Sequence, residues 1–259
     1  MAIIDTHCHL DNCKYYDDID EVISSAISSG VKKFLIPGAS PDDLPRAVEL
    51  AHKYDEVFFA VGVHPYDCEN FDIALFEKYA TDPKCLAIGE CGLDYYRLPK
   101  DKDEKEKNIA LQKDIFIKQI EFAKRVKKPL IVHIRDASDD SKQILLDYKS
   151  GEVGGVLHCF NASPHLLSLS EENFYFGIGG VVTFKNAKNL VEILPKIPTE
   201  KLIVETDCPY LTPHPYRGTR NEPKYTNQVV EKIADLLGMT KSEVESLTTT
   251  NANKLFGFV

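Results

Sequence analysis

Near its start the chain reads Asp5-Thr6-His7-Cys8-His9-Leu10, two imidazoles around a thiol after a short apolar run. All three are metal-ligand types. Side chains on a strand alternate faces, so residues two apart point the same way. His7 and His9 are therefore expected to converge, with Cys8 turned to the opposite face. Groups of the same chemistry recur at His64, Glu90, His133 and His158, and again at Glu205 and Asp207. A lone histidine is commonly a packed or surface residue. Here five of the eight, at 7, 9, 64, 133 and 158, stand at the ends of strand-like runs, whereas His52, His165 and His214 do not.

Nitrogen and carboxylate donors together suit a divalent ion such as zinc, manganese, nickel or cobalt, and accommodate magnesium. Such an ion lowers the pKa of a water it holds, and two ions sharing a carboxylate can also grip a phosphoryl oxygen. A terminal carboxylate can then act as both ligand and proton acceptor. Cys91, Cys159 and Cys208 adjoin Glu90, His158 and Asp207. By the same alternation each is expected to face away from the site, as a small apolar packing residue.

Positioning these groups requires a repeated scaffold. Eight β-branched, apolar runs occur at 2–6, 33–36, 57–63, 85–89, 130–133, 155–158, 174–178 and 202–205. Segments of helical period lie between them. Ile19, Val22, Ile23, Ala26 and Ile27 form one stripe ahead of Gly30, and Thr226, Val229, Val230, Ile233, Ala234 and Leu237 form another ahead of Gly238. Thr240 and Glu243 make a capping box for a last helix. The charge-dense run 100–107 reads as a solvated loop leading into a helix. Strands feeding helices so regularly imply parallel pairing, and eight such units closing on themselves give an α/β TIM (β/α)8 barrel. An open doubly wound sheet is the runner-up, but no Gly-x-Gly-x-x-Gly follows the first run. Active sites of the barrel lie at the C-terminal ends of its strands, where these groups stand.

Length and composition agree. The 259 residues suit one barrel domain spanning 1–259, and 43% apolar content supports a large core. No apolar run reaches the roughly 20 residues of a membrane span, and residues 1–4 are too short for a signal peptide. A cytoplasmic protein without membrane attachment is expected. Seven cysteines without a Cys-x-x-Cys pattern point to reduced thiols. A net charge of −9 argues against a broad polyanion-binding surface, though not against a local site made positive by metal. Oligomeric state stays open, a monomer included.

The run of motifs DTHCHLD, GVHP, GECGLDYY, HIRDA, HCF and ETDCPYLTP, with RNEP at 220–223, resembles the TatD-like metal-dependent deoxyribonucleases of the amidohydrolase superfamily. The likeness runs in order from residue 5 to about residue 225. It implies a barrel with a divalent centre, usually of two ions. By position, His7, His9 and Asp207 would hold one ion, and His133 and His158 the other. Glu90 would bridge them, where other amidohydrolases use a carboxylated lysine. Asp207 would be the base for the attacking water, and His64 would lie near the scissile phosphate. Glu205 would place a water or hold a histidine. Relatives often carry a Ser-Gly-Ser-like run after HCF, where this chain has Asn161-Ala162-Ser163 at the pocket edge.

Arg97, Arg135, Arg217 and Arg220 follow strand-like runs and could touch phosphate. Tyr95 and Tyr96 could stack on a base. Cleavage of DNA from a strand end is the leading expectation, since no extended basic groove is evident. The alternative is an ester or amide hydrolase, such as one removing D-amino acids from tRNA. A non-catalytic scaffold would have no need of six converging ligands.

Overall fold

The structure is a computed structural model that describes residues 2–258. The ends of the single-domain span, Met1 and Val259, lie outside the described residues. The strands are β1 (Ile3–Asp5), β2 (Val31–Ile36), β3 (Val57–Val61) and β4 (Cys85–Asp94). They continue as β5 (Leu130–Arg135), β6 (Gly155–Leu157), β7 (Phe174–Ile178) and β8 (Leu202–Val204). All eight pair in parallel in the order β1 to β8. Closure occurs just past the last and first strands. Thr6 N–H donates to Val204 O (3.2 Å), Asp207 N–H to His7 O (2.9 Å) and His9 N–H to Cys208 O (2.8 Å). The seam of the barrel is thus built from the same residues that carry the opening and closing motifs.

Helices α1 (Ile19–Ser28), α2 (Leu44–Lys53), α3 (Ile73–Tyr79), α4 (Lys102–Val126) and α5 (Ser138–Asp147) follow the first five strands in turn. A 3-10 stretch, Pro164–Glu172, replaces a helix between β6 and β7. Helix α6 (Lys188–Ile193) precedes β8, and α7 (Thr226–Leu237) and α8 (Lys241–Phe256) close the chain. Helix α4 begins inside the charge-dense run rather than after it, because Asp101 accepts from the Asp103 and Glu104 N–H groups as an N-cap. Gly238 caps α7 at φ 65°, and the Thr240–Glu243 capping box starts α8 as expected.

Ile131, Val156 and Ile203 belong to the cluster that fills the barrel interior, with Leu35, Phe58, Ala60 and Tyr175. Burying each Val, Leu, Ile or Phe of that cluster is worth roughly 1.5–3 kcal/mol. Two residues further along the chain stand His133, inside β5, and His158 and Glu205, each one residue past the end of its strand. Alternation therefore aims those three into the mouth of the barrel, directly above a packed floor. Phe256 and Phe258 pack on the same interior cluster, with the Phe258 ring edge-on to Phe58 at 5.2 Å. Among the described residues no helix is long and apolar enough to cross a membrane.

Candidate metal centre

Glu90 is the hub. Strand β4 runs to Asp94, five residues past the expected end at Gly89, so Glu90 lies inside the strand. A register irregularity between Ile88 and Cys91 turns it toward the mouth. Gly89 makes room for this: its φ is 143°, and a Cβ there would meet Ile131 O at 2.4 Å. The two carboxylate oxygens divide their neighbours. Oε2 faces His7 Nε2 at 3.3 Å and His9 Nε2 at 3.9 Å. Oε1 faces His133 Nδ1 at 2.7 Å, His158 Nε2 at 3.3 Å and His64 Nε2 at 3.8 Å.

The first histidine pair converges as its spacing predicts. His7 Nε2 and His9 Nε2 are 3.3 Å apart, and Asp207 Oδ1 lies 3.7 Å and 3.5 Å from them. With metal–nitrogen distances of about 2.0–2.1 Å, adjacent donors of a tetrahedral shell stand about 3.3–3.4 Å apart. Two imidazole nitrogens aimed at one point beside two carboxylate oxygens fit a divalent cation. Four overlapping groups of candidate ligands stand here: His7, His9 and Asp207; Glu90, His133 and His158; His7, His158 and Glu205; and His64, Asp94 and His133.

Charge in the site reflects this crowding. Burial lowers the His9 pKa, but the hydrogen bond to Asp207 and the charges of Asp207 and Glu90 outweigh it, pushing it up to about 9. Burial disfavours ionised Glu90, yet the facing histidines hold it well below the usual carboxylate range. His64 goes the other way, to about 4, because burial dominates. Its Nδ1 accepts from Tyr66 N–H (3.1 Å). The neutral ring therefore carries its proton on Nε2, the atom directed at the cluster.

Further residues hold the ligands in place. Glu205 Oε1 accepts from Cys159 N–H (2.6 Å) and pairs with His158 Nδ1 (3.2 Å). Its other oxygen occupies space left by Gly177, where a Cβ would sit 2.3 Å away. Sequence reasoning missed Asp94 and did not use Asp5. Asp94 Oδ2 pairs with His133 Nε2 at 3.0 Å, and Asp5 accepts from Thr206 N–H (2.9 Å) and Thr206 Oγ1 (2.6 Å) across the seam. Alternation carried signal for Asp5, two residues before His7, but not for Asp94, which lies past the expected end of β4 at Gly89.

Cys8, Cys91 and Cys208 are buried behind the site, with Cys8 Sγ donating to Leu35 O and Cys91 Sγ to Ile131 O. Cys159 departs from its expectation. Strand β6 ends at Leu157, Cys159 takes φ 43°, and the residue lines the mouth beside His158. The left-handed turn at Cys159 breaks the alternation there, whereas past β1 it persists to His9 beside the Cys8–Cys208 bridge.

A cavity of about 770 Å³ opens from His133, His158 and Asp207. Asn161 and Ala162, the divergent residues after HCF, line it, as do Arg97 and Arg135. Arg220 does not: it donates to both oxygens of Asp18 (2.9 and 2.6 Å). Arg217 donates to Thr212 O (2.9 Å) and covers the Phe184 ring. Tyr95 is engaged through its hydroxyl to Asp140 (2.7 Å), whereas Tyr96 is exposed.

The profile of TatD-related DNases matches residues 4–257. The uncharacterized metal-dependent hydrolase YabD of Bacillus subtilis is 42% identical over 260 residues, covering 98% of each chain. The 3'-5' ssDNA/RNA exonuclease TatD of Escherichia fergusonii is 32% identical, over 98% of this chain and 99% of its own. The crystal structure of YJJV, a TatD homologue from Escherichia coli K12, superposes with a TM-score of 0.89 at 26% identity, covering 98% of each chain.

Proposed function

We propose that this chain, which belongs to the TatD-related DNase family of metal-dependent hydrolases, cuts phosphodiester bonds of DNA from a strand end using two divalent ions. The observation that carries the two-ion reading is Glu90, whose oxygens face separate histidine pairs. His7, His9 and Asp207 would hold one ion, and His133 and His158 the other, with Glu90 between them. Zinc, manganese, nickel, cobalt and magnesium all suit this donor set. When bound, such ions acidify an attacking water and neutralise charge on a phosphoryl oxygen.

The remaining work falls to side chains. Asp207, ionised beside its histidines, receives the proton of the water that attacks phosphorus. The bond from phosphorus to the leaving sugar oxygen then breaks, and that oxygen takes up a proton from solvent, so that hydroxyl is added to phosphorus and hydrogen to the sugar oxygen. His64 Nε2–H donates to a non-bridging phosphate oxygen and holds the scissile group in line. Glu205 and Asp94 fix the rings of His158 and His133, the role of partners behind metal-ligating histidines.

The test uses metal-stripped protein reloaded with each ion in turn. Single-stranded DNA, duplex DNA and D-aminoacyl-tRNA are the substrates, and released nucleotide or amino acid is the readout. Nucleotide release that needs metal is expected, with a loss of about a hundred- to a thousandfold in Glu90→Ala, the scale of removing a central electrostatic group. Cleavage of the aminoacyl ester alone would overturn the nuclease assignment.

A further inference from the structure

The chain has six arginines, at 46, 97, 125, 135, 217 and 220, in a protein of net charge −9. Arg46, Arg125 and Arg220 pair with carboxylates, and Arg217 donates to a backbone carbonyl. Among the described residues, Arg97 and Arg135 have no carboxylate partner; their guanidinium groups meet only aromatic rings. Arg135 lies 3.7 Å over the Tyr96 ring and Arg97 5.3 Å over the Tyr66 ring. Both tyrosines are exposed, Tyr96 at 59% and Tyr66 at 42%. Both arginines line the cavity that opens from the candidate metal centre, as does Lys188.

We propose that the Arg97–Tyr66 and Arg135–Tyr96 pairs form a wall that holds the nucleotides of an extended single strand beyond the one being cut. The inference rests on the nuclease reading of the centre and deepens it by naming the side chains that hold the strand away from the cut. A run of rings gives the wall its direction. His133 meets His64 at 4.5 Å, His64 meets Tyr66 at 4.8 Å, and Tyr66 meets Arg97. Arg135 follows His133 by two residues on β5, so alternation brings it to the same rim. In an acidic chain, unpaired guanidinium groups at that rim present donors to phosphate oxygens in fixed fork geometry. An exposed ring beside each cation offers a face to a base, and inside a duplex both faces of a base are already stacked on its neighbours. Neither contact reads base identity, so cutting along the strand is sequence-tolerant.

Binding of fluorescent oligothymidylate to the metal-stripped full chain, followed by anisotropy across a salt series, tests the wall without activity. Single strands should bind more tightly than duplex of equal length. The double variant Arg97→Gln/Arg135→Gln should bind about tenfold more weakly, and its salt slope should fall by about 1.4, at about 0.7 per phosphate contact. Tyr96→Ala should weaken binding about tenfold through lost stacking and leave the slope unchanged. Arg125→Gln, at an ion pair elsewhere, should bind as the parent does. In metal-loaded protein, the kcat/KM ratio of an octanucleotide to a dinucleotide should fall in the double variant. Parent-like affinity and slope in both the double variant and Tyr96→Ala would overturn the wall. So would a parent chain that binds no oligonucleotide at any salt. Salt-dependent binding by the parent with no cleavage under any metal would instead overturn the nuclease reading and leave the wall standing.

Discussion

At the residue scale, the distinction between His7 and His9 on one side and Cys8 on the other decides the site. Cys8 Sγ donates to Leu35 O behind the centre, where a serine hydroxyl can make the same bond. Cys8→Ser should keep its metal and most activity, whereas His7→Ala and His9→Ala should lose both. Metal analysis of the three purified variants checks this, and equal loss in all three would refute the assignment by alternation. Gly177 offers a second residue-scale test. A methyl group there would sit 2.3 Å from Glu205 Oε2 and push the carboxylate off His158. Gly177→Ala should lower metal affinity by about 10- to 100-fold, the usual cost of losing a partner behind a ligand. Titration with a competing chelator measures it, and an unchanged affinity would remove Glu205 from that role. All six candidate ligands and His64 were readable from residue type at strand ends, and the structure brings the seven together. Asp94 was not, because β4 was expected to stop at Gly89. Its continuation depends on the irregularity near Glu90, which no local apolar pattern encodes.

At the scale of elements, periodicity located all eight strands, and β7 matches its expected bounds at both ends. The shorter limits of β6 and β8 follow from the loops, where Cys159 and Asp207 turn to φ 43° and φ 55°. Left-handed backbone is available to an aspartate through its short polar side chain, but nothing in a strand pattern announces it. Two contacts between elements give tests. The Thr240 cap of α8 is local and exposed, so Thr240→Ala should cost about 1 kcal/mol of unfolding free energy in denaturant titration. Arg220 ties the segment before α7 to Asp18 at the start of α1, and holds the Asp18 carboxyl below its ordinary range. A depressed folded-state pKa contributes stability above the unfolded value, near 3.8, and that stability is lost as pH falls through the folded one. The melting-temperature gap between the parent and Asp18→Asn should therefore be widest near neutral pH and close in strong acid. A gap that widened on acidification would contradict the pair.

At the scale of the molecule, an acidic chain gathers its candidate ligands at one end of a closed barrel, above an apolar floor. That arrangement was legible because a parallel barrel places every strand's C-terminal end on one rim. The cleft beyond the rim was not, since loops after β4, β6 and β7 shape it and their conformations follow no period. In the proposed centre, Glu90 joins two ion sites in this rim. The metal-to-protein ratio of stripped and reloaded full-length chain, measured by plasma mass spectrometry after removal of loose metal, tests it most directly. Two ions per chain are expected in the parent protein. One ion per chain or fewer would contradict the two-site centre.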